Sequence, residues 1–426
     1  MVFQNNWAIA SLTGGGIFVT FLLRNNISPL TTTLQTELHI NDFQLGLVLS
    51  SFLWVYTFLQ PVAGWAADNY GARATLLLGV LAASGVTILT GFATSFIMLV
   101  SLRMVLGIAQ SPNFVTGAKV SSSNWIEQDH LARATSVWVA GGRIGTAVSI
   151  PLATLILVSL GWQWAFYVTG ILGVAWCAIW FRFYRDNPQD VPNSKLSPEK
   201  KIGFRKSLPI IASPLGLGLA VASFGQGYLA YYLSTWLPNY LVREQKFSVL
   251  GAGLFAVVPI VSAVITMILI GGFLSDREVS EGAYPVVYRR NLFASGMAIA
   301  SGLIFLTAYA KPLASFTSSR LISSPYFVVA LLSLSGAAWG VATPSLWAAL
   351  VEATPREITG SMGGVMNLGG NLGGIIVLAL TGYILQVTKQ SFLALVTVGL
   401  FSTLAAVSSI LLIKPRILNR SLQHWE

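Results

Sequence analysis

Twelve apolar runs, each near the length needed to cross a bilayer, divide this chain. They fall at about 8–34, 43–66, 74–94, 97–120, 135–159, 163–182, 214–240, 248–274, 291–310, 325–350, 360–386 and 391–413. A membrane helix needs about 20 mostly apolar residues. In lipid no water can satisfy an open backbone group, so only helices and closed barrels span the membrane. A barrel would read as alternating segments of about ten residues, whereas these runs are continuous. The expected fold class is an all-α membrane protein with twelve transmembrane helices. Composition agrees: 54% of the 426 residues are hydrophobic and only 9% are charged. A soluble chain of this length would need far more charge to cover its surface.

The net charge of +10 does not point to nucleic acid, because the basic residues sit in short loops between the apolar runs. Of the 25 Lys and Arg, 17 fall on one side of the twelve-span layout and 5 on the other. Cytoplasmic loops carry the excess, so both termini are expected in the cytoplasm. The start, Met1 to Trp7, has no basic segment, so no cleavable signal peptide is expected. A multi-pass protein of a bacterial inner membrane fits this pattern. The single cysteine, Cys177, lies in an apolar run and implies neither disulfide nor metal.

The longest polar stretch, 183–208, separates two six-span halves, expected as bundles over 1–182 and 209–426. The halves echo one another. Gly64, Asp68, Gly71 and Arg73 form a Gly-x-x-x-Asp-x-x-Gly-x-Arg signature after the second span. Gly272, Asp276 and Arg277 follow the eighth, with Arg289 and Arg290 before the ninth. A carboxylate at one helix end and a guanidinium at the next can form a charge-assisted latch. Such a latch would hold one state of a rocking cycle and release in the other. Paired six-span halves are a transporter architecture, with the substrate site near the midplane where the halves meet. A membrane enzyme would instead need a nucleophile, a metal cluster or paired carboxylates at membrane depth. A channel would show a filter loop. Neither is visible. No cofactor is implied. The expected partners are a small anionic substrate and membrane lipid, with the chain acting as a monomer.

Three arginines fall within spans: Arg24 in the first, Arg103 in the fourth and Arg143 in the fifth. Charge at membrane depth is costly and marks function by default. Guanidinium stays charged and forks around a carboxylate or phosphate. Arg24 and Arg103 converging on one site would bind an anion; the alternative for Arg24 is to snorkel outward from a helix end. Arg143, in Gly141-Gly142-Arg143-Ile144-Gly145, can either reach the cytoplasmic headgroups or line the inner cavity. By contrast, all 15 acids and 3 histidines can be placed in loops or at span ends, with Glu352 nearest to membrane depth.

The layout and the Gly64–Arg73 signature resemble the major facilitator superfamily. Several motifs, in order along nearly the whole chain, resemble its anion:cation symporter family. They include Arg24-x-x-Ile27-Ser28, Leu49 to Tyr56, Leu102-Arg103-x-x-x-Gly107, Gly161-Trp162-Gln163-Trp164, Thr235 to Tyr240, and Gly363-Gly364-x-x-Asn367. That family includes bacterial galactonate and hexuronate carriers and, more distantly, vesicular glutamate, sialic acid and plastid phosphate carriers. The resemblance implies that Arg24 and Arg103 bind the substrate's acidic group. It also implies that Tyr56, Trp347 and Asn367 contact its hydroxyls or apolar face. Tyr231 and Tyr232, which cluster with Tyr228 in the seventh span, are further lining candidates. With 13 Trp, 13 Tyr and 23 Phe, most aromatics must nevertheless be belt or packing. The Gly360–Gly374 run reads either as a close-packing face or as a flexible gating helix.

Two departures matter. Where sugar-acid symporters of this family carry a carboxylate before the first-span arginine, this chain has Leu23. Where they carry a glutamate after the fourth-span arginine, it has Gln110. Glutamine hydrogen-bonds like glutamate but cannot titrate. The expectation is an organic-anion carrier working by uniport or exchange. The alternative is cation coupling rewired through Na⁺, Glu352 or a proton on the substrate, with phosphate the second choice of substrate.

Overall fold

The computed structural model describes residues 6–121, 131–185, 213–271, 285–317, 324–354 and 359–413; within α3 the side chains of 60–70 also lie outside the description. The described residues are helical and contain no strand. The helices are α1 (Asn6–Asn25), α2 (Thr31–Glu37), α3 (Asp42–Thr90), α4 (Phe96–Ser121), α5 (Leu131–Leu160) and α6 (Trp162–Phe183). Then come α7 (Pro214–Tyr231), α8 (Leu237–Arg243), α9 (Val249–Phe255), α10 (Val258–Thr266), α11 (Pro285–Thr317), α12 (Pro325–Ala353), α13 (Thr359–Thr388) and α14 (Phe392–Leu412). Among the described residues, eleven stretches are long and apolar enough to cross a membrane. The expected span not among them, the seventh at 214–240, is a helical run broken by a wide turn.

Proline explains where single apolar runs become broken helices. The run 8–34 is expected as one span, but α1 ends at Asn25 and a 3-10 turn, Ser28–Leu30, precedes α2. Pro29 lacks an N–H and restricts the residue before it. In the seventh span a π-turn, Tyr232–Trp236, joins α7 to α8, and the Leu237 N–H reaches back to the Tyr232 carbonyl. Pro238 follows within the first turn of α8. The wider turn accommodates the ring and the missing donor. In the eighth span Pro259 stands in the first turn of α10, just past the break between α9 and α10.

Gly71 interrupts α3 between the second and third spans, with φ 81° and ψ 161°. That region is almost closed to residues with a Cβ, which accounts for the second glycine of the signature. The start of α3 is fixed by a capping box: Asn41 Oδ1 accepts from the Gln44 N–H, and Gln44 Oε1 accepts from the Asn41 N–H.

The chain divides into two compact units, one of Met1–Ser197 with Ser248–Leu254, the other of Pro198–Phe247 with Phe255–Glu426. From residue 186 to its end, the expected linker over 183–208 lies outside the described residues. Each unit repeats the same packing. In the first, α1 lies on α5, and α3 on α4 and α6; in the second, α7 lies on α13, and α11 on α12 and α14. In the second unit Gly369 and Gly373 meet the backbone carbonyls of Ala220 and Phe224, so part of the Gly360–Gly374 run is a close-packing face of α13 on α7.

Candidate functional site

The break after α1 builds the site. It leaves Arg24 in the last turn of α1, where the final carbonyls have no intrahelical partner. Four side chains hold this end. Asn25 Nδ2 donates to Thr146 Oγ1 (3.2 Å) and Asn26 Nδ2 to Thr169 Oγ1 (2.9 Å). Ser149 Oγ donates to the Leu22 carbonyl (2.8 Å). Arg103 Nη1 donates to the carbonyl of Arg24 itself (3.2 Å). A cation on a helix C-terminus meets the negative end of its dipole, so Arg103 is both a cap on α1 and a charge beside Arg24.

Arg103 reaches this position because α4 lies very close to α3. Gly107, one turn after Arg103, faces the Phe52 carbonyl and the Tyr56 N–H, and a Cβ there would collide with the backbone. The same approach places Phe52 and Tyr56, stacked at 5.1 Å between centroids, under the arginines. The Arg24 guanidinium carbon lies 4.7, 4.4 and 4.6 Å from the ring centroids of Phe21, Phe52 and Tyr56. Arg103 lies 5.3 Å from that of Phe52. Cation–π contacts stabilise each charge by about 0.5–2 kcal/mol, well short of the cost of burying it.

Gln110 completes the arrangement. Its Oε1 accepts from Arg24 Nε (3.2 Å), and its Nε2 donates to the Thr20 carbonyl (3.0 Å). The second bond holds the amide with its oxygen toward Arg24. Thr20 is fixed in turn: its hydroxyl donates to the Gly16 carbonyl and accepts from Asn113 Nδ2. Arg24, Arg103 and Gln110 are 8%, 5% and 0% exposed. Among the described residues every hydrogen-bond partner of the two guanidinium groups is neutral, and no carboxylate pairs with either. Leu23 is buried.

The structure therefore brings Arg24, Arg103, Gln110 and Tyr56 together. Arg143 is half-buried on α5; its neighbours Gly141 and Gly145 are taken up by contact with the Gly14 and Phe18 carbonyls of α1. In the second unit the Tyr231 hydroxyl donates to Asn371 Oδ1 (3.3 Å). Tyr232 is fully buried, as is Tyr228, which donates to Thr397 Oγ1. Asn367 is half-buried, and Trp347 is 44% exposed. Thr20, Phe21, Phe52 and Asn113 are contributors that sequence reasoning passed over. Spacing could have found two of them, since Thr20 and Phe21 stand four and three residues before Arg24 and share its helix face.

Of the expected latch, Gly71 and Arg73 are in view. Gly64 is within α3, the Asp68 side chain lies outside the described residues, and so do Asp276 and Arg277. Arg73 Nη2 donates to the Phe181 carbonyl in the last turn of α6 (2.8 Å), and Trp180 Nε1 donates back to the Arg73 carbonyl (3.0 Å). In the second unit Arg290 Nη1 donates to the Ile413 carbonyl at the end of α14 (3.1 Å). In each half, then, an arginine early in the third span caps the sixth. By this geometry the counterpart of Arg73 is Arg290.

A sequence model of the Major Facilitator Superfamily matches residues 13–378. The chain belongs to the Major Facilitator Superfamily. It is an integral, multi-pass membrane protein of a transporter family and not an enzyme. The chain is 28% identical over 421 residues to a D-galactonate transporter of Escherichia coli O6:H1, covering 93% of this chain and 94% of the relative. It is 28% identical to a hexuronate transporter of Bacillus subtilis, covering 94% and 92%. A solved bacterial homolog of the human lysosomal transporter Spinster shares the superfamily fold, with a TM-score of 0.74 at 17% identity over 96% of this chain and 97% of that one.

Proposed function

We propose that this superfamily member carries an organic anion, a sugar acid or other carboxylate, across a bacterial inner membrane by alternating access. Arg24 and Arg103 would take its acidic group. The observation that carries this reading is a pair of buried guanidinium groups with only neutral hydrogen-bond partners among the described residues. An uncompensated buried charge is strongly unfavourable, and a carboxylate or phosphate meets it with paired, charge-assisted bonds. The names of the relatives, sugar-acid carriers, agree in substrate class.

Gln110 supports uniport or exchange. It holds Arg24 through a neutral amide, so no proton is gained or lost where the arginine is oriented. A site left strongly positive when empty favours a carrier that crosses loaded, which suits exchange. In this reading the Asp68–Arg73 signature serves as a cytoplasmic latch, and Tyr56, Tyr231, Trp347 and Asn367 orient the substrate's body.

The test is uptake into proteoliposomes from a panel of hexonates, hexuronates, small carboxylates and phosphate, with membrane potential and pH gradient clamped separately. Accumulation driven by an inside-positive potential alone, or counterflow driven by internal anion alone, is the expected result. A requirement for an inward proton or Na⁺ gradient would overturn the uncoupled reading. Absence of transport for every anion would overturn the substrate class.

A further inference from the structure

The sixth span carries a surface that the arginine site does not use. On α6, Ile171, Val174, Ala178 and Arg182 are exposed, while Trp176 and Trp180 are buried. Steps of three and four residues put the exposed set on one face of the helix. In a membrane-spanning helix an exposed apolar face meets acyl chains, and this one is apolar up to its last member, a guanidinium. Ile171 and Arg182 are eleven residues apart. That is about 16 Å of helix, close to half of the roughly 30 Å hydrocarbon core and so one leaflet deep.

Arg182 stands in the last turn of α6. Its guanidinium carbon lies 5.6 Å from the Phe183 ring centroid, and among the described residues no carboxylate pairs with it. Arg73 adds charge on the neighbouring flank, 4.6 Å from the ring of Phe181, which is 55% exposed. The sequence continues in the same sense: between 182 and 206 there are seven Lys and Arg against three acids. The positive-inside bias calls for basic residues in this loop. It does not require one on the lipid-facing stripe.

From this stripe and the charge at its end we infer that the end of the sixth span is a docking surface for an anionic phospholipid. An acyl chain lies along Ile171, Val174 and Ala178, and Arg182 holds the headgroup phosphate. Guanidinium forks around phosphate oxygens. A zwitterionic lipid offers the same chains, but its ammonium offsets the phosphate, so charge decides between the two. The inference is independent of which substrate is carried. A basic residue at the membrane surface favours anionic lipid by about fivefold.

The experiment is native mass spectrometry of the purified full chain in detergent, with phosphatidylglycerol and phosphatidylcholine of identical acyl chains added in equal amounts. The wild type should retain phosphatidylglycerol about fivefold or more over phosphatidylcholine. Arg182→Gln should lower that preference by about fivefold, and Arg182→Lys, which keeps the charge, should retain most of it. Arg182→Gln should melt with the wild type, because the side chain is exposed. Arg243→Gln, the same loss of charge at the end of the seventh span, is the control and should leave the preference unchanged. Equal retention of the two lipids by the wild type, or an undiminished preference in Arg182→Gln, would overturn the inference. An equal fall in Arg243→Gln would assign the effect to net charge and overturn it too. Displacement of the bound lipid by millimolar glycerol phosphate or inorganic phosphate would overturn the phospholipid in favour of a free anion.

Discussion

Replacing Gln110 by glutamate should turn this carrier into one that responds to protons. The substitution is isosteric, so a carboxylate oxygen takes the place of the amide oxygen 3.2 Å from Arg24 Nε. With an effective dielectric of 20, the attraction at that distance is about 5 kcal/mol. Against it stands the bond from Gln110 Nε2 to the Thr20 carbonyl. A carboxylate cannot make that bond, and an orphaned buried acceptor costs about 1–3 kcal/mol. The net strength of the new pair is about 2–4 kcal/mol. A substrate carboxylate must displace part of it to reach Arg24. Half-saturation should therefore rise by about 10- to 100-fold when the introduced carboxyl is ionised, equivalent to about 1.4–2.7 kcal/mol. Protonation reverses both effects: the neutral acid releases Arg24, and its O–H donates to the Thr20 carbonyl as the amide does. The assay is initial uptake in proteoliposomes between about pH 4.5 and 8, with the potential clamped. The wild type should show a flat half-saturation across this range. Gln110→Glu should show one that falls as pH falls, and an inward proton gradient should now drive accumulation. Equal pH profiles in the two proteins would refute the view that the side chain at this position decides whether Arg24 is available.

Three further outcomes follow from the geometry. Gly71→Ala forces a Cβ into a backbone region almost closed to it, at a cost of about 1–3 kcal/mol; a lowered melting temperature in detergent is expected, and an unchanged one would count against that backbone conformation. Gly107→Ala pushes α4 off the Phe52 carbonyl, an overpacking cost of about 1–3 kcal/mol; it should also displace Arg103 and raise half-saturation at least tenfold, whereas a loss of stability with unchanged kinetics would separate the glycine from the site. Tyr231→Phe removes the hydroxyl that donates to Asn371, a bond contributing about 1 kcal/mol. If the pair orients substrate hydroxyls, half-saturation should rise up to about fivefold for a polyol acid and stay constant for its deoxy analogue; equal effects on the two would confine the pair to packing.

The legible parts of the site were those marked by residue type against background. An arginine inside an apolar run is conspicuous, because charge is rare at that depth. Gln110 was conspicuous only beside a resembled family in which the position is acidic; by itself a glutamine near the end of an apolar run carries no signal. The latch was less legible. Spacing suggested Asp276 and Arg277, with Arg289 and Arg290 before the ninth span, as the echo of Asp68 and Arg73; Asp276 and Arg277 lie outside the described residues, and among those described the arginine that repeats Arg73's contact is Arg290, in the first turns of α11. Pattern matching follows neighbours along the chain, whereas the contact follows the end of the sixth helix.

Hydropathy determined that this chain is helical and membrane-spanning, because backbone groups in lipid leave few alternatives, and the echoed signature about the polar stretch 183–208 marked two halves. Hydropathy put Arg24 and Arg103 within apolar runs, and the signature put a glycine at position 71. Averaged over a span, hydropathy did not register the breaks at Asn26, at Tyr232–Trp236 and before Pro259, since a few polar residues or a proline barely lower the mean of a long apolar run. Only tertiary structure decided that Arg24 meets Gln110, 86 residues away, and that Arg103 caps the very helix end that carries Arg24. Those contacts depend on how closely α4 approaches α3 at Gly107 and on where α1 stops. Both are set by the packing of side chains and backbone between helices far apart in the chain, which no local pattern encodes.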